Sequence, residues 1–529
     1  MQSNPIRINT QVLIIGGGVT GTGLARDLAL RGVHCVLVEK SDINAGASGA
    51  NHGMLHSGAR YVASDAEAAK ECRIEGEHLK RLAPHCIENA GGLFVAVEGD
   101  DEIYISDFPR MCADCGIESE LIDIADVHQM EPLLSKKLIA AYRVPDASID
   151  PFRLSLDNIA QAQQLDTVFL KDTAVTVFER SKGRITSVGL RHTKTGEQTL
   201  VSAHQIVNAA GAWAGMIAAL AGIDLDMICA KGTLLVTQSR LAKHVINRLR
   251  KASDADILVP GGTVSILGTT SVRVPSPDGI HPTVEEVDQI IDDASAMIPS
   301  LATARYIRAY AGVRPLFGNS QSSGDRSVSR GFALLDHGEN GLDNFITITG
   351  GKLTTYRLMA EKAADLVCQK MGISTSCRTL TESLPDTESG RWTEPSRAPR
   401  QWLKLHDPAD SLLCECDMVP KSVVTEIAES LHQSGQKPDL NSIARRSRLG
   451  KGPCQGTYCS VRVSAHLYDL GFLKEDQGID CLRAFLRERW FGQHPLLWDT
   501  ALVQSELMEA IHCGFHCLEQ LTEKEAHNE

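Results

Sequence analysis

The clearest hydrophobic pattern begins at residue 11, where QVLIIG forms a continuous β-branched run that ends on glycine. A run of that kind reads as a strand buried on both faces. Leu24, Ala25, Leu28 and Ala29 then recur at helical spacing, and HCVLVEK returns to a short apolar run. Strand, helix and strand in that order predict a βαβ unit. Further apolar runs at 205–209, 257–259, 264–268 and 345–349 are separated by polar helical stretches, which predicts a mixed α/β architecture. The segment 378–400 is rich in Pro, Ser, Thr and charge without periodicity, and reads as a linker to a separate C-terminal domain. There Val423, Val424, Ile427 and Leu431 mark an amphipathic helix, and the glycine-bearing loop RLGKGPCQGTYC enters another at 459–470.

A chain of 529 residues is long enough for about three packed units and a large cofactor. With 43% hydrophobic and 22% charged residues it has the composition of a folded protein. The formal charge of -13 argues against a broad nucleic-acid surface, so positive groups that matter should be placed locally. No stretch reaches the roughly 20 apolar residues of a bilayer span, and MQSNPIRINT lacks the apolar core of a signal peptide. These features predict a cytoplasmic chain, in which the 15 cysteines stay reduced and clustered ones favour metal. Cys35, Cys72, Cys86, Cys229, Cys368 and Cys481 have no partner at ligand spacing and read as core fillers. The pairs Cys112 with Cys115 and Cys513 with Cys517 each lack a second pair nearby to complete a four-thiolate site.

Gly16, Gly18 and Gly21 satisfy G-x-G-x-x-G between the first strand and its helix, where backbone N–H groups can meet a pyrophosphate. Glu39 ends the second strand, the place for a carboxylate that accepts from a ribose diol. Three later segments favour FAD over NAD. They are the small-residue run SDINAGASGANHGMLHSGARY, VNAAGAWA at 207–214, and ITITGGKLTTYRLMAE, which sets Gly350 and Gly351 before a helix start with Thr354 near its cap. A helix N-terminus there would stabilise negative charge on a reduced flavin.

The GGGVTGTG turn and the runs GASGANHGMLHSGARY, YAGVRPL at 310–316 and GGKLTTYR at 350–357 resemble the FAD-dependent glycerol-3-phosphate dehydrogenases. With its C-terminal cysteine module the chain resembles, over nearly all its length, the large catalytic subunits of the bacterial anaerobic enzymes. The resemblance implies a Rossmann-like FAD-binding domain interleaved with a mixed-sheet substrate domain, like that of D-amino-acid oxidase, over 1–377. It also implies a C-terminal region, 401–529, with a small, mainly helical BFD-like iron-sulfur domain at about 411–470 and a helical tail. The implied reaction is oxidation of sn-glycerol 3-phosphate to dihydroxyacetone phosphate. Electrons would pass to a quinone through two partner subunits, one a second flavoprotein and the other a membrane-anchoring iron-sulfur protein, which would hold the chain peripherally at the bacterial inner membrane. Ser48, Val175, Gly211 and Leu353 join the implied cofactor set.

A phosphate dianion needs fixed cationic donors, and Arg60, Arg314 and Lys352 all lie in the resembling segments, with Tyr61 beside Arg60. Alcohol oxidation benefits from a base, for which His56 is the nearest candidate and His52 the alternative, while Arg314 can orient or stabilise the alkoxide. Cys414 and Cys416 form C-x-C, and Cys454 and Cys459 form C-x4-C after 37 intervening residues. The pattern resembles a 2Fe-2S site, although zinc can use the same four ligands. FLRERWFGQHPLLW at 485–498 reads mainly as packing, with Trp490 and Trp498 as a candidate docking face for a partner. The competing functions are a 2-hydroxy-acid or amino-acid oxidase on the same fold, which needs fewer cations, and a non-catalytic redox sensor.

Overall fold

Val12, Leu13 and Ile14 are fully buried because the strand Ile6–Ile15 has parallel partners on both edges and covered faces. Side chains alternate along a strand, so Val12 and Ile14 pack on the helices Val19–Leu30 and Tyr356–Met371, while Leu13 and Ile15 meet Ala218 and Ala221 on the other face. The computed structural model describes residues 5–318, 331–394, 397–405 and 407–516; Cys517 lies outside them. The first strand starts at Ile6, earlier than its apolar run. Residues 6–10 pair with 199–203 but stay largely exposed, so no continuous hydrophobic pattern marks them.

Gln198–Asn208 and Cys35–Val38 flank this strand, with Ile14 opposite Val207 and Leu37. Val168–Leu170 and Phe345–Gly350 extend the parallel set, and antiparallel strands complete an eight-stranded sheet. The expected runs at 205–209 and 345–349 thus fall at the ends of neighbouring parallel strands. A second sheet of nine strands contains Met227–Thr237 near one end, which pairs antiparallel with Tyr306–Phe317 and places Ala230 opposite Arg314 and Gly232 opposite Gly312. The runs at 257–259 and 264–268 are the hairpin Ile257–Gly261 and Val264–Gly268 of this sheet. Its other face packs on Val287, Ile290 and Ala294 of the helix Val284–Ser295, which opens on a capping box between Thr283 and Glu286.

The C-terminal region has its own core, in which Val424, Ile427 and Leu431 of Lys421–Gln433 meet Val463 and Leu467 of Cys459–Asp469 and Phe485 of Gln477–Gln493. The segment 378–400 lacks long elements, yet its described residues are docked along the first domain. Leu384 N–H donates to Leu82 O at 2.8 Å, and the fully buried Arg153 pairs with Glu394 at 2.8 Å and with Asp386. Cys112 and Cys115 are buried against Phe94, Tyr104 and Phe108 as packing groups.

Buried ions fasten the C-terminal region to the loop after the second strand. Arg446 grips Asp42 through two bonds of 2.8 and 3.0 Å, and Lys171 Nζ lies 3.6 Å from Asp439 and 4.0 Å from Asp42. Burial pushes the Asp42 carboxyl up, but Arg446 and then Lys171 outweigh it and hold it at about 2. Removing one member of such a pair strands a buried charge, at about 3–5 kcal/mol. Asp42→Ala is therefore expected to melt earlier and to be cut faster between the two regions in limited proteolysis. A depressed folded pKa contributes stability that is complete above the unfolded carboxylate value and lost as pH falls through the folded value. The gap in melting temperature between wild type and variant should accordingly close between about pH 4 and pH 2.

Candidate active site

The carboxyl ends of the parallel strands open on a cavity of about 870 Å³, where open α/β sheets characteristically bind ligands. Gly16 leaves the first strand at φ 118°, and a Cβ there would stand 2.5 Å from Ala209 O. At Gly21 a Cβ would meet Gly16 O at 1.9 Å, so this glycine lets the helix close on the turn and does not itself line the cavity. Gly16, Gly18, Glu39, Ser48, Val175, Gly211, Gly350, Gly351 and Leu353 all do. Ser48 Oγ accepts from Val19 N–H at 2.9 Å and ties the small-residue run to the start of the helix. Glu39 accepts from Gly17 N–H at 2.8 Å and Ser41 N–H at 2.9 Å; burial raises its pKa, and these amides oppose the rise. Thr354 lies behind the wall, fully buried, and accepts from His56 N–H at 3.2 Å; the N-cap position of the following helix falls on Thr355.

Arg60, Tyr61, Arg314, Lys352, His52 and His56 line the same cavity. The cations are held in three different ways. Arg60 donates to the buried Asp256 at 2.7 Å and to Ser253 O at 3.2 Å, which offsets part of its charge. Arg314 donates from both terminal nitrogens to Thr270 O at 3.2 Å, and to Thr269 Oγ1, so these partners are neutral oxygens. Its guanidinium occupies the space a side chain at Gly232 would need, 2.5 Å from that absent Cβ. Lys352 Nζ sits 4.9 Å over the Tyr61 ring, and the Tyr61 hydroxyl lies 3.4 Å from His56 Nε2.

Burial and then the Arg314 and Arg60 charges pull the His52 pKa down to about 3, and burial with His52, Lys352 and Arg60 pulls His56 well below the ordinary value. Both imidazoles are neutral at pH 7, and the Nδ1 of each is buried without a partner among the described residues. Sequence reasoning did not find Asp256, Thr269, Thr270 or Gly232, which no local motif marks.

The cysteines of the C-terminal loops also meet. Cys416 Sγ and Cys454 Sγ are 3.6 Å apart, and the buried Cys414 and Cys459 thiols lie near enough to shift each other's titration. The Cys416 thiol and the amides of Gly456, Tyr458 and Thr457 lower the Cys454 pKa, so the loop favours thiolate there. Gly452 admits the Cys416 side chain, whose Cβ is 2.4 Å from where a Cβ at Gly452 would stand. Among the described residues, no three of the four sulfurs lie within 4.8 Å of one another.

Comparison with known proteins fits this geometry. Residues 11–366 match the family described as FAD dependent oxidoreductase. A protein of Escherichia coli K12, named as one subunit of the anaerobic glycerol-3-phosphate dehydrogenase, is 42% identical over 97% of this chain and 98% of its own length. A Haloferax volcanii protein, likewise named as one subunit of an anaerobic glycerol-3-phosphate dehydrogenase, is 38% identical over 95% of this chain and 90% of its own length. In fold, the chain matches the glycerol-3-phosphate dehydrogenase of Bacillus halodurans complexed with FAD, at a TM-score of 0.65 and 22% identity, over 93% of this chain and 96% of that one.

Proposed function

Because the chain belongs to the FAD dependent oxidoreductase family, and within it to the glycerol-3-phosphate dehydrogenases, we propose that it oxidises sn-glycerol 3-phosphate to dihydroxyacetone phosphate. The observation that carries the reading is the convergence of Arg60, Arg314 and Lys352 with two neutral histidines on the cavity that begins at the glycine turn. A cavity of that size, walled by glycines and small residues and bounded by Glu39, fits FAD. When bound, the flavin supplies the acceptor for the hydrogen and electron pair leaving carbon 2.

The remaining work falls to the chain's own side chains. Arg314, with Lys352, takes the phosphate, and the bonds to Thr269 and Thr270 orient its fork. Arg60, partly offset by Asp256, supports the same end. His56 accepts the hydroxyl proton; its depressed pKa keeps it unprotonated at pH 7, as a base must be before the reaction. Tyr61 orients His56 through the ring nitrogen it faces. The burial of Arg60 and His56 limits water at those two groups and strengthens their interactions.

The four cysteines in this reading hold a 2Fe-2S cluster in a BFD-like domain. Tetrahedral zinc with bonds near 2.3 Å requires all its sulfurs roughly 3.8 Å apart, whereas the four thiols stand as two pairs, which suits two metal ions better than one. A cluster supplies single-electron transfer between flavin and acceptor. Partner subunits, one a flavoprotein and one an iron-sulfur membrane anchor, would carry electrons on to a quinone. Support comes from the naming of the relatives as single subunits of an enzyme. No helix of the described residues is long and apolar enough to cross a membrane, so attachment would be peripheral. Trp490 and Trp498, each 39% exposed, offer a docking face, while Phe491 of the same helix is spent on stacking with His281.

Arg314→Ala removes charged hydrogen bonds worth about 3 kcal/mol, so kcat/KM for glycerol 3-phosphate with a dye acceptor should fall roughly 100-fold. Flavin content should not change, and unaltered kinetics in that variant would remove Arg314 from the substrate site. Metal analysis of anaerobically purified chain should find iron and acid-labile sulfide in equal amounts, both lost in Cys454→Ser. Zinc in their place would overturn the cluster assignment.

A further inference from the structure

A second cavity of about 810 Å³ separates the active site from the cysteine loop. Ala50, Asn51 and His52 line both cavities, and on the far side Lys451 and Gln455 belong to the loop that carries Cys454. Seven arginine and lysine side chains and four carboxylates line this chamber.

All four carboxylates are already engaged. Glu88 accepts from Arg240 at 2.7 Å, Glu394 holds Arg153 at 2.8 Å, and Glu488 holds Arg308. Asp150 caps the helix Pro151–Gln164, accepting from Phe152 N–H at 2.9 Å and Arg153 N–H at 3.1 Å. Arg489 and Lys451 form no hydrogen bond with any of the four. The Arg489 side chain is 4% exposed and its guanidinium makes no hydrogen bond to any described residue; its nearest carboxylate oxygen, on Glu488, is 3.7 Å away. One face of it rests on the Phe485 ring at 4.7 Å. The Lys451 ammonium lies 4.6 Å over Phe152 and likewise donates to no described residue. Arg308 Nε, a third donor of the wall, is buried without a partner.

Arg308 and Arg489 share the single carboxylate of Glu488, and Lys451 pairs with none among the described residues, so the wall holds more positive charge than it compensates, and such a surplus is costly away from water. Burial, then the Arg308 charge, pulls the Arg489 guanidinium down to about 10. We infer that this chamber is a binding site for a phosphate-bearing small molecule, with the phosphate held by Arg489, Lys451 and Arg308 Nε. Arginine forks favour phosphate, and a volume within the range of ligand pockets admits an organic moiety as well as the anion. An occupant would lie between the cofactor loop and the cysteine loop. The inference is independent of what the first cavity oxidises.

The test uses the FAD-loaded full chain beside the Arg489→Met/Lys451→Met double variant, with inorganic phosphate, pyrophosphate and AMP as probes in a chloride buffer. The first cavity is common to both proteins, so the difference between them isolates the chamber. Wild type is expected to bind one more equivalent of at least one probe by equilibrium dialysis, and to gain melting temperature saturably with it. The double variant should melt above wild type without probe, because two poorly compensated cations are gone, and should not gain that increment. If the double variant does not accumulate, Arg489→Lys keeps the charge, loses the fork and should weaken the extra binding about tenfold. AMP binding with inorganic phosphate and pyrophosphate inert would point to a nucleotide; equal binding by all three, to any phosphate. Equal stoichiometry in wild type and variant, or indifference of wild type to all three probes, would overturn the proposal.

Discussion

Gathering positive charge at and below the surface of one chain is the constraint on which this structure turns. A cation in the interior is costly unless something compensates it, and a carboxylate is the commonest compensation. Where the task is fastening, the chain uses carboxylates, as in Arg446 with Asp42 and Lys171 with Asp439. At the first cavity neutral groups also hold cations. Arg314 donates to threonine oxygens and Lys352 lies over the Tyr61 ring face. Burial first, and then the neighbouring positive charges, hold the His52 and His56 imidazoles below their ordinary pKa.

That arrangement depends on close approach within the second sheet and of that sheet to the small-residue run. Strand pairing sets Arg314 diagonally across from Gly232, and only a residue without a side chain leaves room for the guanidinium over the strand. Gly312, in the same strand as Arg314, comes as near to the small-residue run, where a Cβ would meet Ala50 O at 2.5 Å. The cofactor loop is held from the other side too. Arg446 grips Asp42 and Arg445 donates to Ile43 O at 3.2 Å, so the C-terminal region is anchored on the loop that follows Glu39. A disturbance in the cysteine region therefore has a short covalent and ionic path to the dinucleotide turn.

Much of this was legible locally. The buried run 11–15, the glycine triplet and Glu39 lie within one βαβ unit whose periodicity is its own signature. The helices Lys421–Gln433 and Cys459–Asp469 appear where amphipathic spacing and the glycine loop place them. Of the residues singled out for the first cavity, only Gly21 and Thr354 stand behind its wall. The rest of the site was hidden because its partners are distant in sequence. Asp256 meets Arg60 across 196 positions, and Gly232 matters only through the register of a strand it pairs with. The docking of 378–400 was hidden for a related reason. Its contacts are single polar bonds and isolated side chains such as Trp392, which leave no period in the sequence.

The central claim, that the first cavity recognises a phosphate on the alcohol it oxidises, is tested most directly by anaerobic mixing of the flavin-loaded chain with glycerol 3-phosphate, glycerol and lactate at equal concentration. Prompt bleaching of the flavin by glycerol 3-phosphate, with little by the other two, is the predicted result. Bleaching by lactate, or none by glycerol 3-phosphate, would contradict it and point to a carboxylate-binding oxidase or a protein without turnover.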